Sequence, residues 1–324
     1  MAVKVVWRTD IHLADQAPAA RTDVWLDTML DKIQQVGGLA KRVKADVVLD
    51  GGDLFHIKSP TRNSHELVQS VAEAHMQYPC PVWGTVGNHD VKFENILYLN
   101  ESPLGVLFKT GVIHPLYEAN QELIIDKGGV KIRVVGVPYH GTTYDMSRFN
   151  IQKKDEDWLV VVAHCLASPT GQSLFGAEDV LKYSDLAKLN PDVWLFGHFH
   201  KDQGVTEIIP GKWVVNIGSL SRGTLSADDV GRTPSCAVLS FEKTKVSIEK
   251  VPLKVQPASE VFNLVEKARE DAQEFTLDTL VNSLKVSLAQ RVEGSLLDTI
   301  RLLPDVPDAV KGRTISYLEV AGAK

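Results

Sequence analysis

The residues best equipped for chemistry are Asp, Asn and His, and they arrive in five short clusters. These are Asp10-Ile-His12, Gly52-Asp53-Leu54-Phe55-His56, Gly87-Asn88-His89-Asp90, Ala163-His164 and Gly197-His198-Phe199-His200. No thiolate accompanies them. Carboxylate, carboxamide and imidazole donors together suit borderline or hard divalent ions such as Mn²⁺, Mg²⁺, Fe²⁺ or Zn²⁺ and disfavour soft-metal sites. The clusters are expected to supply seven ligands. That is more than one ion needs if water or substrate must also bind, so two ions are expected, with Asp53 the central candidate to bridge them. Such a pair, ~3.5–4 Å apart, clamps the attacking and leaving oxygens of an in-line displacement at phosphorus and makes hydroxide available near neutral pH. Mn²⁺ is expected to serve best, since mixed imidazole and oxygen ligands with labile waters suit it. His89, beside Asn88, is placed as a general acid for the departing alkoxide.

Each cluster directly follows an apolar run: Val3 to Trp7, Ala45 to Leu49, Pro81 to Val86, Trp158 to Val162, and Val193 to Phe196. Runs of this length, rich in β-branched residues and bounded by Gly, Asp or Asn, read as buried strands. The clusters therefore sit where strands end, which is where ligands bind in open α/β sheets.

Between the strands, Trp25, Met29, Ile33, Val36, Ala40 and Val43 recur at helical steps, interrupted only by Gly37-Gly38. An interior Gly costs ~1 kcal/mol against Ala. A second helix fits 63–78, stopped by Pro79, and Ser102-Pro103 reads as an N-cap followed by Pro at the first helical position. The first 90 residues thus form a βαβαβ unit. The later half offers strands at Lys131–Val137, Trp213–Val215 and a hairpin of 235–241 against 245–251. The expected class is α/β: two packed mixed β-sheets flanked by helices. Strand patterns end near Pro252–Pro257, so a catalytic domain over 1–255 and a helical appendage over 256–324 are expected. The appendage should hold helices marked by Val261, Leu264, Val265 and Ala268, by Leu277 to Leu288, by Leu296 to Leu303, and from Pro307-Asp308 to about Val320.

Hydrophobic content of 44% with 23% charged residues fits a soluble globular chain. The formal net charge of -6 argues for no particular partner, because nucleic-acid contact needs a basic patch and not a basic total. Cys80, Cys165 and Cys236 are far apart and odd in number, which speaks against a disulfide framework and for a reducing compartment. Cys165, beside His164, is expected to be a buried apolar residue rather than a nucleophile. No apolar stretch reaches the ~18 residues of a membrane span, and the N-terminus is already a strand, so a cytoplasmic protein without membrane contact is expected.

Taken in order, the five clusters resemble the signature of calcineurin-like metallophosphoesterases: Asp-x-His, Gly-Asp, Gly-Asn-His-Asp, a lone His, and Gly-His-x-His. The resemblance covers about residues 3–220 and implies an αββα sandwich. It implies that Asp10, His12, Asp53 and His200 hold one ion, that Asp53, Asn88, His164 and His198 hold the other, and that His89 protonates the leaving group. Asp90 would fix the turn or orient His89. Within the superfamily, Gly52-Asp53-Leu54-Phe55-His56 is similar to SbcD-type DNA repair nucleases, including phage recombination subunits, and this places His56 by the substrate phosphate. The phosphoprotein phosphatases carry Asp there, and His56-Ile-Lys departs from them. The chain also departs from the nuclease branch, with Ala14 in place of Gly and with Asn216 to Thr224 only partly following its pattern. Arg222, after Gly218-Ser219, is the candidate substrate contact through its guanidinium fork.

The resemblance thus implies a DNA exo- or endonuclease subunit in recombination or repair. Its implied partners are DNA and an SbcC-like SMC ATPase docked on the appendage, and a homodimer is compatible with it. The second reading is a stand-alone phosphatase or phosphodiesterase of nucleotides or small phosphoesters. A non-catalytic module would have lost ligands, and none is missing.

Overall fold

The computed structural model describes residues 2–56, 63–118, 121–172, 176, 178–265, 269, 300–301 and 306–320. Two compact units divide the chain, Met1–Phe262 and Asn263–Lys324.

The first unit is built on two six-stranded mixed sheets. In the first, β1 (Val3–Arg8), β2 (Val47–Asp50), β3 (Val82–Gly84) and β4 (His114–Pro115) run parallel. The hairpin of β13 (Ser235–Phe241) and β14 (Val246–Pro252) joins antiparallel on β1. In the second sheet, β12 (Lys212–Ile217), β10 (Val193–Gly197), β7 (Trp158–His164) and β6 (Val130–Val137) are parallel. Its antiparallel edges are β11 (Asp202–Ile209) and β5 (Glu122–Lys127). A short parallel pair, β8 (Ala167–Ser168) and β9 (Leu181–Lys182), follows β7.

Side-chain alternation decides which sheet face meets which layer. Val5, Trp7, Val47 and Leu49 pack against Ile132, Val134, Val160 and Leu195 in the core between the sheets. Val6 and Val48 point the other way, into a core shared with α1 (Trp25–Val43) and α2 (His65–Met76). Trp194, Phe196 and Val161 bury the outer face of the second sheet.

The helix expected over 25–43 is unbroken through Gly37-Gly38. A Cβ at Gly37 would stand 2.8 Å from the Tyr78 ring, so the missing side chain lets Tyr78 close on the helix. Ser64 caps α2 by accepting the Leu67 N–H at 3.0 Å. Ser102 caps the helix Pro103–Lys109, with Pro103 in its first turn. The strands β5 and β11 were not anticipated, because their burial patterns are those of half-exposed edges rather than buried runs.

The first unit extends past Pro257 because Val261 and Phe262 are buried in it. Val261 accepts the Thr22 N–H, and Phe262 forms a bridge with Arg21. In the second unit Asp308–Val320 is a helix. Leu277, Leu280, Val281, Leu284 and Leu288, and Leu296, Leu297 and Leu303, lie outside the described residues. No helix among the described residues is long and apolar enough to cross a membrane.

Candidate metal centre

The carboxyl ends of β1, β2, β3, β7 and β10 converge, and each delivers its cluster to one place. The loops after β1 and β2 run side by side: Asp10 N–H donates to Gly52 O at 3.1 Å, His12 N–H to Asp53 O at 2.9 Å and Leu13 N–H to Leu54 O at 2.8 Å. The register pairs Gly197 with His164 across β10 and β7, which puts His198 beside the end of β7.

Three sets of potential ligand atoms result among the described residues, each with all its atoms within 4.8 Å of one another: His12, His56 and His89, and two acidic sets, Asp10, His12, Asp53 and His200, and Asp53, His164 and His198. Asp53 belongs to both acidic sets. Asn88 joins the second of these, its Oδ1 lying 3.3 Å from His164 Nε2. Asp53 Oδ2 stands 3.8 Å from His12 Nε2 and 3.4 Å from His164 Nε2. That oxygen is buried and has no hydrogen-bond partner among the described residues. A buried carboxylate oxygen without a partner is costly, and a shared divalent cation is what this donor set would accept there. The residues therefore fit a dinuclear metal site; the donors leave the identity of the metal open.

The backbone is bent to make this arrangement. Asp10, His12, Asp53 and His198 all have positive φ, between 52° and 85°, where side chains other than Gly are uncommon. Such conformations cost of order 1–3 kcal/mol each and persist where the surroundings over-determine them. Gly87 permits the closest approach, since a Cβ there would lie 2.1 Å from Asp53 Oδ1.

Neighbouring groups set ligand orientation and charge. His164 Nδ1–H donates to Gly51 O at 2.7 Å, which turns Nε2 toward Asp53 and Asn88. Burial opposes charge on His164, but the Asp53 carboxylate outweighs it and pushes the imidazole up to about 10. Against burial, the His164 and His12 rings hold Asp53 well below the usual carboxylate range. A divalent cation at this site would favour ionised Asp53 and a neutral, ligating His164. His12 is pushed well below the usual imidazole range by burial and then by His200, which favours its neutral, ligating form.

The Asp10 carboxylate accepts the His198 N–H at 3.1 Å and the Thr9 hydroxyl at 2.6 Å. The Asp90 carboxylate accepts the backbone N–H groups of Asp53, Phe55 and Gly87, which makes it a clamp on the turns.

His56 and His89 stack at 4.9 Å on the outer side of this cluster, each about 5 Å from the His12 ring. Beside them opens a groove of about 370 Å³ lined by His12, His56 and His200, with Ala17, Pro18 and Trp25 forming an apolar wall.

Arg222 is not brought to this groove. Its neighbours Ser221 and Gly223 line it, while the Arg222 side chain turns the opposite way, is buried, and donates to Arg232 O and Gln256 O. Successive residues of an extended segment point to opposite sides, which accounts for that direction.

Glu178 was not foreseen. Its carboxylate lies 3.0 Å from His198 Nε2 and accepts the Tyr144 hydroxyl at 2.6 Å. Against burial, the bond to His198 holds Glu178 below the usual range. It comes from a loop with no apolar run before it, so no strand-end pattern marks it.

Residues 3–202 match the family model described as calcineurin-like phosphoesterase. The chain belongs to that family. No protein of curated function is significantly similar in sequence. Among solved structures, the protein TT1561 of Thermus thermophilus is 14% identical with a TM-score of 0.47, covering 77% of this chain and 99% of that one. An archaeal phosphodiesterase is 15% identical with a TM-score of 0.38, covering 77% and 100%. The NAD nucleotidase NadN of Haemophilus influenzae is 13% identical with a TM-score of 0.48, covering 99% of this chain and 60% of that one.

Proposed function

We propose that this metallophosphoesterase is a dinuclear phosphodiesterase acting on small organic phosphoesters such as nucleotides. The observation that carries the reading is the buried Asp53 Oδ2, which has no hydrogen bond among the described residues, on a carboxylate common to two ligand sets. Asp10, His12, Asp53 and His200 would hold one divalent ion, and Asp53, Asn88, His164 and His198 the other, with Mn²⁺ the favoured metal. Such a pair supplies Lewis acidity and hydroxide near neutral pH. His89 gives its proton to the departing oxygen, and His56 orients the phosphate beside it. The groove along Ala17, Pro18 and Trp25 supports a single organic group next to the phosphate, since its roughly 370 Å³ falls within the ordinary size of a small-ligand pocket.

A second reading, a DNA nuclease working with an SbcC-like ATPase, draws support from Gly52-Asp53-Leu54-Phe55-His56 and from the exposed position of His56. One experiment tests both. The Mn²⁺-loaded chain is assayed on bis-p-nitrophenyl phosphate, on nucleotide diesters and on linear duplex DNA, with chelator and Asp53→Asn as controls. Hydrolysis of the small diesters, abolished by both controls, is expected. Cleavage of DNA with no turnover of nucleotide diesters would move the conclusion to the second reading. No metal-dependent hydrolysis of any of them would remove the proposal.

A further inference from the structure

A second cavity, of about 510 Å³, lies away from the metal centre between α1 and the segment Lys254 to Val261. Arg21, Lys32, Arg222 and Lys254 line it. Arg21 is fully engaged: Nε and Nη2 donate to the two Asp23 oxygens at 2.8 and 2.7 Å, and Nη1 donates to Arg222 O at 2.9 Å. Arg232, close behind, is paired with Asp228 and Asp229.

Neither Lys32 nor Arg222 has an ion pair of its own among the described residues; the carboxylates that act on them, Asp23 and Asp229, are bonded to Arg21 and Arg232. Lys32 is 2% exposed, and among the described residues its Nζ donates to Leu220 O at 3.0 Å and Met29 Sδ at 3.7 Å. Arg222 is 4% exposed and donates to two backbone carbonyls, lies over the Phe262 ring, and keeps a buried Nε–H with no acceptor among the described residues. Asp27 and Asp31 line the same cavity, yet neither forms an ion pair with Lys32 or Arg222 among the described residues. Two adjacent buried cations whose neighbouring carboxylates are bonded to other guanidinium groups are a strained arrangement in a protein interior. Burial, and then Arg21, Arg222 and Arg232, push the Lys32 ammonium down to about 7, and burial lowers Arg222 as well.

An oxyanion seated between them would offset both charges and take up the orphaned Nε–H, which is the edge a guanidinium offers to phosphate. The cavity exceeds what a bare oxyanion fills and falls within the roughly 300–1,000 Å³ of small-molecule sites. Val255, Pro257 and Val261 supply an apolar side. We propose that this cavity binds a small organic phosphate, its oxyanion held by Lys32 and Arg222 and its organic part lying against Val255, Pro257 and Val261. The site is tied to the metal centre through one short segment. Lys32 holds Leu220 O, the Leu220 N–H donates to Thr9 O, and Ser219 Oγ donates to Asp10 O.

The test uses the full chain stripped of metal by chelator, so that phosphate has no metal ion to bind. Inorganic phosphate, adenosine 5′-monophosphate and acetate are titrated at pH 6.5 by calorimetry and followed by thermal shift. Saturable binding of the nucleotide is expected, tighter than that of inorganic phosphate, with acetate weakest. Lys32→Met and Arg222→Gln should each weaken it by about tenfold or more, the worth of ~1.4 kcal/mol, while Asp53→Asn leaves it unchanged. Lys32→Met removes a desolvated cation and should melt no lower than the parent chain. If it fails to fold, Arg222→Lys, which keeps the charge and loses the fork, carries the same expectation. Binding lost in Asp53→Asn but kept in the cavity variants would overturn the proposal, as would acetate binding as well as the phosphates or no saturation by ~10 mM nucleotide.

Discussion

The Asp90 carboxylate accepts the Asp53 backbone N–H at 2.8 Å, so the residue shared by both acidic ligand sets is held in place by a neighbour that is not itself in either set. The same carboxylate takes the N–H groups of Gly87 at 2.9 Å and Phe55 at 3.0 Å. Burial and the nearby Asp53 charge push Asp90 well up, and the Phe55 and Gly87 donors work against that shift. Asp90→Ala would strand three buried N–H groups, each costing about 1–3 kcal/mol. A markedly lower melting temperature and weaker divalent-metal binding should follow, measured by calorimetry of both unfolding and metal titration. Undiminished metal affinity would show that the clamp does not position Asp53.

His89→Ala should leave metal content unchanged and lower turnover of a poor-leaving-group diester by about 10²–10⁴-fold, the usual worth of a positioned acid. The loss should shrink for a p-nitrophenyl ester, whose leaving group hardly needs a proton. Equal losses on both substrates would take the acid role from His89.

Glu178→Gln addresses the carboxylate that sequence inspection missed. Groups that orient a ligating His typically contribute 10–100-fold in metal affinity. A loss in that range is expected for one of the two ions, read by stepwise metal titration, with the other step little changed. An unaltered two-step titration would assign Glu178 to packing with Tyr144.

His75 provides a pH signature outside the candidate ligand set. Its Nδ1–H donates to Val71 O at 2.6 Å, and Nε2 faces the Arg8 guanidinium, so the ring is neutral. Burial, and then the Arg8 charge, push it down to about 3 from an ordinary value near 6.5. Between those values the unfolded chain binds a proton that the folded chain does not, so the contribution is present above about 6.5 and is lost as pH falls toward 3. Acid unfolding of the metal-free chain should steepen across that window, and the His75 ring should show no protonation shift by NMR before unfolding begins. A ring that titrates near pH 6 in the folded protein would contradict this.

Much of the site could be read from residue order because metal chemistry and strand ends leave their marks in the same short stretches. Asp10, Asp53, Asn88, His164 and His198 each follow a buried run, and α1 announced itself by its apolar stripe. Three features lacked such a mark. Glu178 reaches His198 from an irregular loop, where no periodicity fixes direction. Arg222 sits in an extended segment whose alternation depends on a register that the sequence does not reveal. The strands β5 and β11 lie at sheet edges with polar residues in alternation, so their burial is too slight to register. The interior glycines misled in the other direction: the cost of Gly37 within α1 is offset by the contact of Tyr78, which arrives from the end of α2.

Asp10, Asp53 and Asn88 extend from strands of one sheet, and His164, His198 and His200 from strands of the other. Ions held by this set would cross-link the two halves of the sandwich and close a chain loop from Asp10 to His200. A tie of that span acts on the unfolded ensemble much as a long-range disulfide does, by removing loop entropy. Its strength would follow free metal concentration through mass action instead of redox potential. Metal supply would then govern how long the folded chain survives as well as how fast it turns over, and starvation for the ion would loosen both sheets together.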